Sequence, residues 1–160
     1  TPFTIFLNCR VYNASPASGA YSDLFQLTDG TLKILLQIKS AAQTITLKIG
    51  SSADPNAREI DIQKGGNNEY GLFLNVQDEV ACLAVYDWTS QGCQTAAVAL
   101  TKKTYTPTEM CLGKKDTASD IAYAVSHISI FPRIFMGGEH AAYATDFSLQ
   151  NNMPTPGFLI

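Results

Sequence analysis

Asp23-Leu24-Phe25-Gln26-Leu27-Thr28, then Asp29-Gly30, then Thr31-Leu32-Lys33-Ile34-Leu35-Leu36 run on without a break. Asp-Gly accepts the positive φ values of a two-residue turn, and strand-forming residues flank it on both sides. The stretch reads as an antiparallel hairpin with Asp29-Gly30 at its tip. Outward from it the same period-two pattern recurs. Phe3, Ile5, Leu7, Cys9 and Val11 share one face of a first strand. Ile45, Leu47 and Ile49 alternate with Thr44, Thr46 and Lys48, and Ile60 and Ile62 alternate with Glu59, Asp61 and Gln63. Residues 70–76 and 80–86 read as two more strands, and a turn around 88–92 leads into another at 95–101. Residues 50–56 and 64–68 have turn composition. Residues 104–115, with Pro107, read as irregular, and 151–157 as an extended tail.

One segment departs from alternation. Thr117-Ala118-Ser119-Asp120 supplies N-cap residues and an acidic group suited to a helix start. Ile121, Ala124, Val125 and Ile128 then recur at helical spacing, and Ala122 and Tyr123 widen the apolar surface. The spacing predicts a short, largely enclosed helix over 117–128, with short β segments at 129–134 and 141–149. A sheet and a helix each need a partner for their apolar faces. The expected fold is therefore mainly β (α+β): an antiparallel sheet curved around that helix, as one domain over 1–160, with no repeat and no linker.

Eleven basic against 14 acidic residues give a formal charge of −3. Phosphate recognition needs a basic surface, so nucleic acid is not an expected partner. No apolar run reaches the length of a membrane-spanning helix, so membrane insertion is not expected either. The chain is long enough to bury a core without a staple. Thr1-Pro2-Phe3 reads as the start of an excised piece, without the charged and apolar regions of a signal peptide. Cys9, Cys82, Cys93 and Cys111 match no zinc spacing. A disulfide between Cys82 and Cys93 across a hairpin is one state open to them; free thiols, suited to a reducing compartment, are the other. Asn13-Ala14-Ser15 is a glycosylation sequon followed by Pro16, too weak a motif to imply secretion.

No motif for a nucleophile, a phosphate-cradling loop or a metal site stands out. His127 falls at the end of the expected helix, where it suits the dipole. Glu139-His140 follows Gly137-Gly138 in an expected loop, where a metal would still need a distant third ligand. No cofactor is expected. A binding role fits the composition better. Sugars are held by a ring under their C–H face and by polar groups on their hydroxyls, through dispersion and hydrogen bonding. Trp88, the single tryptophan, lies in an expected turn with Asp87, Thr89, Ser90 and Gln91. It either offers such a platform or folds back to cap the core. Asn67, Asn68 and Tyr70 form a second polar–aromatic group at a hairpin tip, although Asn also suits turns for their own sake. Arg133 and Arg10 read as clamps or as surface ion-pair partners.

Ile128-Ser129-Ile130-Phe131-Pro132-Arg133 followed by Asn151-Asn152-Met153-Pro154 resembles the closing part of the rotavirus spike head. That head is the trypsin-released, glycan-binding portion of the outer-capsid spike protein. The resemblance covers the C-terminal quarter of the chain and points to a divergent, group B-like head. It carries over no sugar-binding residue. It implies a non-enzymatic viral attachment domain, made in the host cytoplasm and mounted on the virion outer capsid. Its partners would be a host cell-surface glycan and the remainder of the spike protein. It also implies a second fold, the galectin-like two-sheet β-sandwich. The residue chemistry, independently of the resemblance, gives Trp88, Asn67, Asn68, Tyr70 and Arg133 as the expected glycan-binding residues. A structural, oligomer-forming capsid or fibre domain is the alternative.

Overall fold

The computed structural model describes residues 2–11, 21–39, 44–49, 57–61, 68–88, 92–100, 104–112 and 123–151. The described chain is mainly β, with ten strands and one helix. The first sheet contains β1 (Phe3–Val11), β6 (Asn68–Gln77), β7 (Val80–Asp87), β8 (Gly92–Ala99) and β10 (Tyr123–Phe131), in the order β10-β1-β6-β7-β8. The second contains β2 (Tyr21–Thr28), β3 (Lys33–Lys39), β4 (Thr44–Ile49), β5 (Ala57–Asp61) and β9 (Glu109–Leu112), in the order β5-β4-β3-β2-β9. Every pairing is antiparallel.

The sheets share one core, because alternation gives each an apolar inner face. Ile5, Leu7, Leu72, Leu74 and Leu83 of the first meet Phe25, Leu27, Ile34, Leu36 and Leu47 of the second. The arrangement is a β-sandwich rather than one sheet curled around a helix. The helix lies outside it. Helix α1 (Glu139–Gln150) packs on the outer face of the first sheet and makes a second core with Phe6, Phe73, Tyr86, Trp88 and Phe135. Strand β1 is therefore buried on both faces from Phe3 to Cys9. Fully burying an aromatic or aliphatic side chain contributes about 1.5–3 kcal/mol, so this strand anchors both cores.

The helix is not where the spacing put it. Residues 123–131 are strand β10, an edge strand paired with β1, and 117–122 lie outside the described residues. Cys9 pairs with Val125 and Asn8 with His127, so Ser126 is an extra residue at a bulge. The bulge turns Val125 and Ile128, three apart, onto the same core. That is why a strand carries a helical spacing. The true helix occupies the segment read as β, 141–149. His140, Tyr143, Ala144 and Phe147 form its packed stripe. Its start is held by Glu139, whose carboxylate accepts the Met136 N–H at 2.7 Å, and its end by Asn151, whose Nδ2 donates to Phe147 O at 2.8 Å.

The first hairpin is present, with a longer connection than Asp29-Gly30 alone. Thr28 pairs with Lys33, and Asp29 Oδ1 accepts N–H groups from Thr31 and Leu32 at 2.9 and 2.7 Å. The Asp29 carboxylate organises a four-residue turn, with Gly30 at φ +91°. Within 104–112, Glu109–Leu112 adds a strand to the edge of β2, so that part is not wholly irregular. All four cysteines are free. Cys82 faces Ala97 across the strands while Cys93 faces Tyr86, so the register separates the two thiols that a hairpin disulfide would join.

Candidate functional site: an outer cleft beside the helix

The proposed sugar-binding residues do not assemble into one surface site. Trp88 is 2% exposed and folds back under α1, stacked on Phe147 at 5.9 Å between ring centroids. Its Nε1–H donates to Asn8 Oδ1 at 2.7 Å, and Asn8 Nδ2 donates to Ser126 Oγ at 2.8 Å. A ring so enclosed offers no face to a sugar, and the core-capping reading of Trp88 is the one that holds. Tyr70 is 1% exposed on the inner face of β6, because even positions of that strand point between the sheets. It cannot serve as a platform either. Asn68 begins β6, and Asn67 lies outside the described residues. Arg133 is exposed and donates from Nη1 to both carboxylate oxygens of Glu139 at 2.7 Å, with its guanidinium 4.9 Å from the Phe135 ring centre. Arg10 pairs with Glu69. Both arginines are ion-pair partners at the surface.

A different group of residues forms a concavity. Helix α1 covers the β10–β1–β6 side of the outer face and leaves open the part of β7 and β8 where the outward residues Cys82, Ala84, Thr95 and Ala97 are small. Register rows lay Phe73, Ala84 and Thr95 side by side, with Asn75 and Cys82 in the next row and Tyr86 and Cys93 on the other side. The start of α1, at His140, makes the wall. The resulting cleft has a volume of about 300 Å³. Phe73 and Tyr86 bound it as aromatic rings 5.4 Å apart, and His140 meets Phe73 edge-on at 5.1 Å.

Its polar groups are held by bonds from below. Asn75 Nδ2 lies 2.9 Å from His140 Nε2. An amide nitrogen only donates, so Nε2 accepts and the ring proton sits on Nδ1. Asn75 Oδ1 faces the Thr4 hydroxyl at 2.8 Å, and that hydroxyl accepts the Phe135 N–H at 3.0 Å. Burial pushes the His140 pKa below its ordinary 6.5, against a smaller opposing pull from Glu139. The imidazole is therefore neutral around pH 7. Burial raises the Tyr86 phenol, with a further contribution from Cys93, so the hydroxyl stays protonated.

Two cysteines and a histidine line this cleft, which invites comparison with a nucleophile pair. Burial raises both thiols, Cys82 and Cys93, whereas a catalytic thiol is lowered by its surroundings. The His140 Nε2 is taken by Asn75. No three His, Cys, Asp or Glu side chains converge among the described residues. A second concavity, about 370 Å³, opens between the edges at β9 and β10 and is lined by apolar residues such as Phe3, Met110 and Ile130. It has few polar groups to orient a ligand.

The cleft residues Asn75, Tyr86, Thr95 and His140 were not grouped by sequence reasoning. One signal was available. On β7 and β8 the outward positions Cys82, Ala84, Thr95 and Ala97 are small and uncharged, flanked by the larger Phe73 and Tyr86. A hollow follows from that, once the register is known.

No known protein family matches the sequence, and no curated protein matches it. Solved structures do share the fold. Tailspike protein 2 from a bacteriophage of Escherichia coli O157:H7 superposes with a TM-score of 0.57 at 10% identity, over 97% of this chain and 22% of that one. The enzymatically active domain of bacteriophage CBA120 tailspike protein 2 gives 0.59 at 9% identity, over 92% of this chain and 24% of that one. A carbohydrate-binding module of the Dit protein of Lactobacillus casei phage J-1 gives only 0.40, which supports no comparison. The chain thus spans about a quarter or less of the tailspike chains it matches. Identities this low establish a common fold, a β-sandwich found in a viral tailspike, and nothing finer.

Proposed function

We propose that this chain is a viral attachment domain that binds host cell-surface glycans in the outer cleft, mounted on a larger spike or tail protein. The observation that carries the reading is the cleft itself: aromatic rings and braced amide, hydroxyl and imidazole groups around a small open hollow. Such a set can hold a sugar by C–H contact and hydrogen bonding without transforming it. The resemblance of the tail segment to rotavirus spike heads and the fold in common with a phage tailspike both support a viral setting. A place on the virion exterior, after synthesis in the host cytoplasm, agrees with four free thiols.

A cleft of this size gives weak affinity for one glycan, because ordering of ligand and side chains opposes a small contact. Many copies on one particle compensate by avidity. The test is a glycan array probed with the chain displayed multivalently. Binding that falls at least tenfold on Thr95→Trp, a substitution at the exposed lip, supports the cleft. An array on which no sugar is retained defeats the reading. One of the structural neighbours is described as enzymatically active, so the same preparation should be offered oligosaccharide substrates. Turnover abolished by His140→Ala in a folded protein would replace binding with hydrolysis as the function.

A further inference from the structure

We infer that the outer cleft selects an uncharged sugar with a methyl-bearing substituent, such as an N-acetylhexosamine or a deoxyhexose, over sialylated or sulfated glycans. This rests on the proposed glycan-binding role and names its ligand class.

Charge is the first argument. The described lining contains no lysine or arginine, and its histidine is neutral. The arginine nearest in sequence to the wall, Arg133, gives its Nη1 donor to both oxygens of Glu139. That bonding holds the Glu139 carboxyl below its usual range, so it is ionised next to His140 in the chain. A carboxylate or sulfate entering the cleft would lose water and find no cation on its described lining, since the nearby Arg133 is already paired with Glu139. Removing a charge from water without a partner is strongly unfavourable.

Shape is the second. The hollow takes about 300 Å³, the lower end of the range for ligand pockets. It suits one sugar unit and its substituent. Much of its surface is apolar, from Phe73, Ala84, Tyr86 and Ala141. A fully hydroxylated ring would leave hydroxyl groups against that surface without partners. A methyl group set among these residues would bury apolar area, while ring hydroxyls reach Thr95 and the amide of Asn75.

Hydrogen bonding is the third. Asn75 uses Oδ1 towards Thr4 and one N–H towards His140, so its second N–H is left to donate. Thr95 both donates and accepts. Neutral donors and acceptors match sugar hydroxyls or an acetamido group and give no preference for an anion.

The experiment is saturation-transfer NMR on the intact chain with four probes: the methyl glycosides of N-acetylglucosamine, fucose and N-acetylneuraminic acid, and a 6-sulfated N-acetylglucosamine. The expected result is transfer strongest at the N-acetyl or C6 methyl protons of the first two. Their apparent affinity should be at least tenfold above that of either anion and insensitive to salt between low and physiological ionic strength. Thr95→Lys, at an exposed position, should shift the ratio towards the anions by several fold. Preference for the sialylated or sulfated probe in the unaltered chain overturns the inference and leaves the glycan-binding role standing. Neutral binding that ignores Thr95→Lys and Ala84→Phe places the site elsewhere and also overturns it. Silence from all four probes, together with an empty array, removes both the inference and the role beneath it.

Discussion

His140 sits where helix, sheet and cleft meet, and burial holds its imidazole neutral. Burial lowers its pKa against a smaller opposing pull from Glu139, and the Asn75 Nδ2–H points at Nε2. With the folded pKa below 6.5, the unfolded chain binds the extra proton in the interval between the two values. Stability is therefore present above the unfolded value and is lost as pH falls towards the folded one. Thermal melts from about pH 7 down to about 5.5 should show a falling midpoint, and His140→Gln should flatten that slope. Cys9 supplies a second residue-scale expectation. It is wholly buried, and burial, with Glu69 adding to it, pushes its thiol up to about 12. Alkylation followed by mass spectrometry should label exposed Cys93 in the native protein and reach Cys9 only on unfolding. Trp88 was legible in the sequence as a residue of consequence, but not in its direction. Its neighbours in sequence are polar, while its partners in space, Asn8, Phe147 and Tyr86, come from distant segments. Trp88→Ala should cost about 3–5 kcal/mol of stability through the cavity it leaves. Trp88→Phe should leave sugar binding unchanged, since the ring is not at the cleft surface.

At the scale of elements, β6 and β7 show how a strand accommodates a large ring. Gly71 pairs between Asn8 and Tyr86, and a Cβ built there would stand 2.4 Å from Trp88 Cζ2. Gly71→Ala should destabilise by about 1–3 kcal/mol, the usual cost of overpacking, read from denaturant melts of two folded proteins. The turn joining these strands places Glu79 at φ +66°. A left-handed residue with a Cβ costs about 1–2 kcal/mol, part of which Glu79→Gly recovers, so a gain of roughly 0.5–1 kcal/mol is expected. Most strands were legible as elements, because alternation over five or more residues is a strong local signal. The two segments the structure corrects, 123–128 and 141–149, were misread for identifiable causes. Ser126 at its bulge gives β10 a three-residue apolar spacing, and a start at Gly137-Gly138, without a side-chain N-cap, disguised a helix whose stripe begins at His140.

On the scale of the whole molecule, β1 holds two cores apart and together. Its odd residues face the second sheet, and Thr4, Phe6 and Asn8 face the turn and helix. Its partners β6 and β10 come from far along the chain, so neither core can form until distant segments meet. Truncation after Arg133 would remove Phe135, Ala144 and Phe147 from the outer core and expose Phe6, Phe73 and Trp88. Such a chain should keep far-ultraviolet β signal, lose the near-ultraviolet signal of Trp88 and bind a hydrophobic dye. A truncated chain with an unchanged tryptophan environment would contradict the two-core account.

Alternation of apolar and polar side chains along the chain was enough to specify antiparallel β structure, most strand positions and the inner face of β1, because those depend only on neighbours within one segment. The cleft, the burial of Trp88 and the place of the helix were decided by register and layering. Each depends on which residues from separate strands come to lie side by side, and a period-two pattern says which face a residue takes without saying what will cover it.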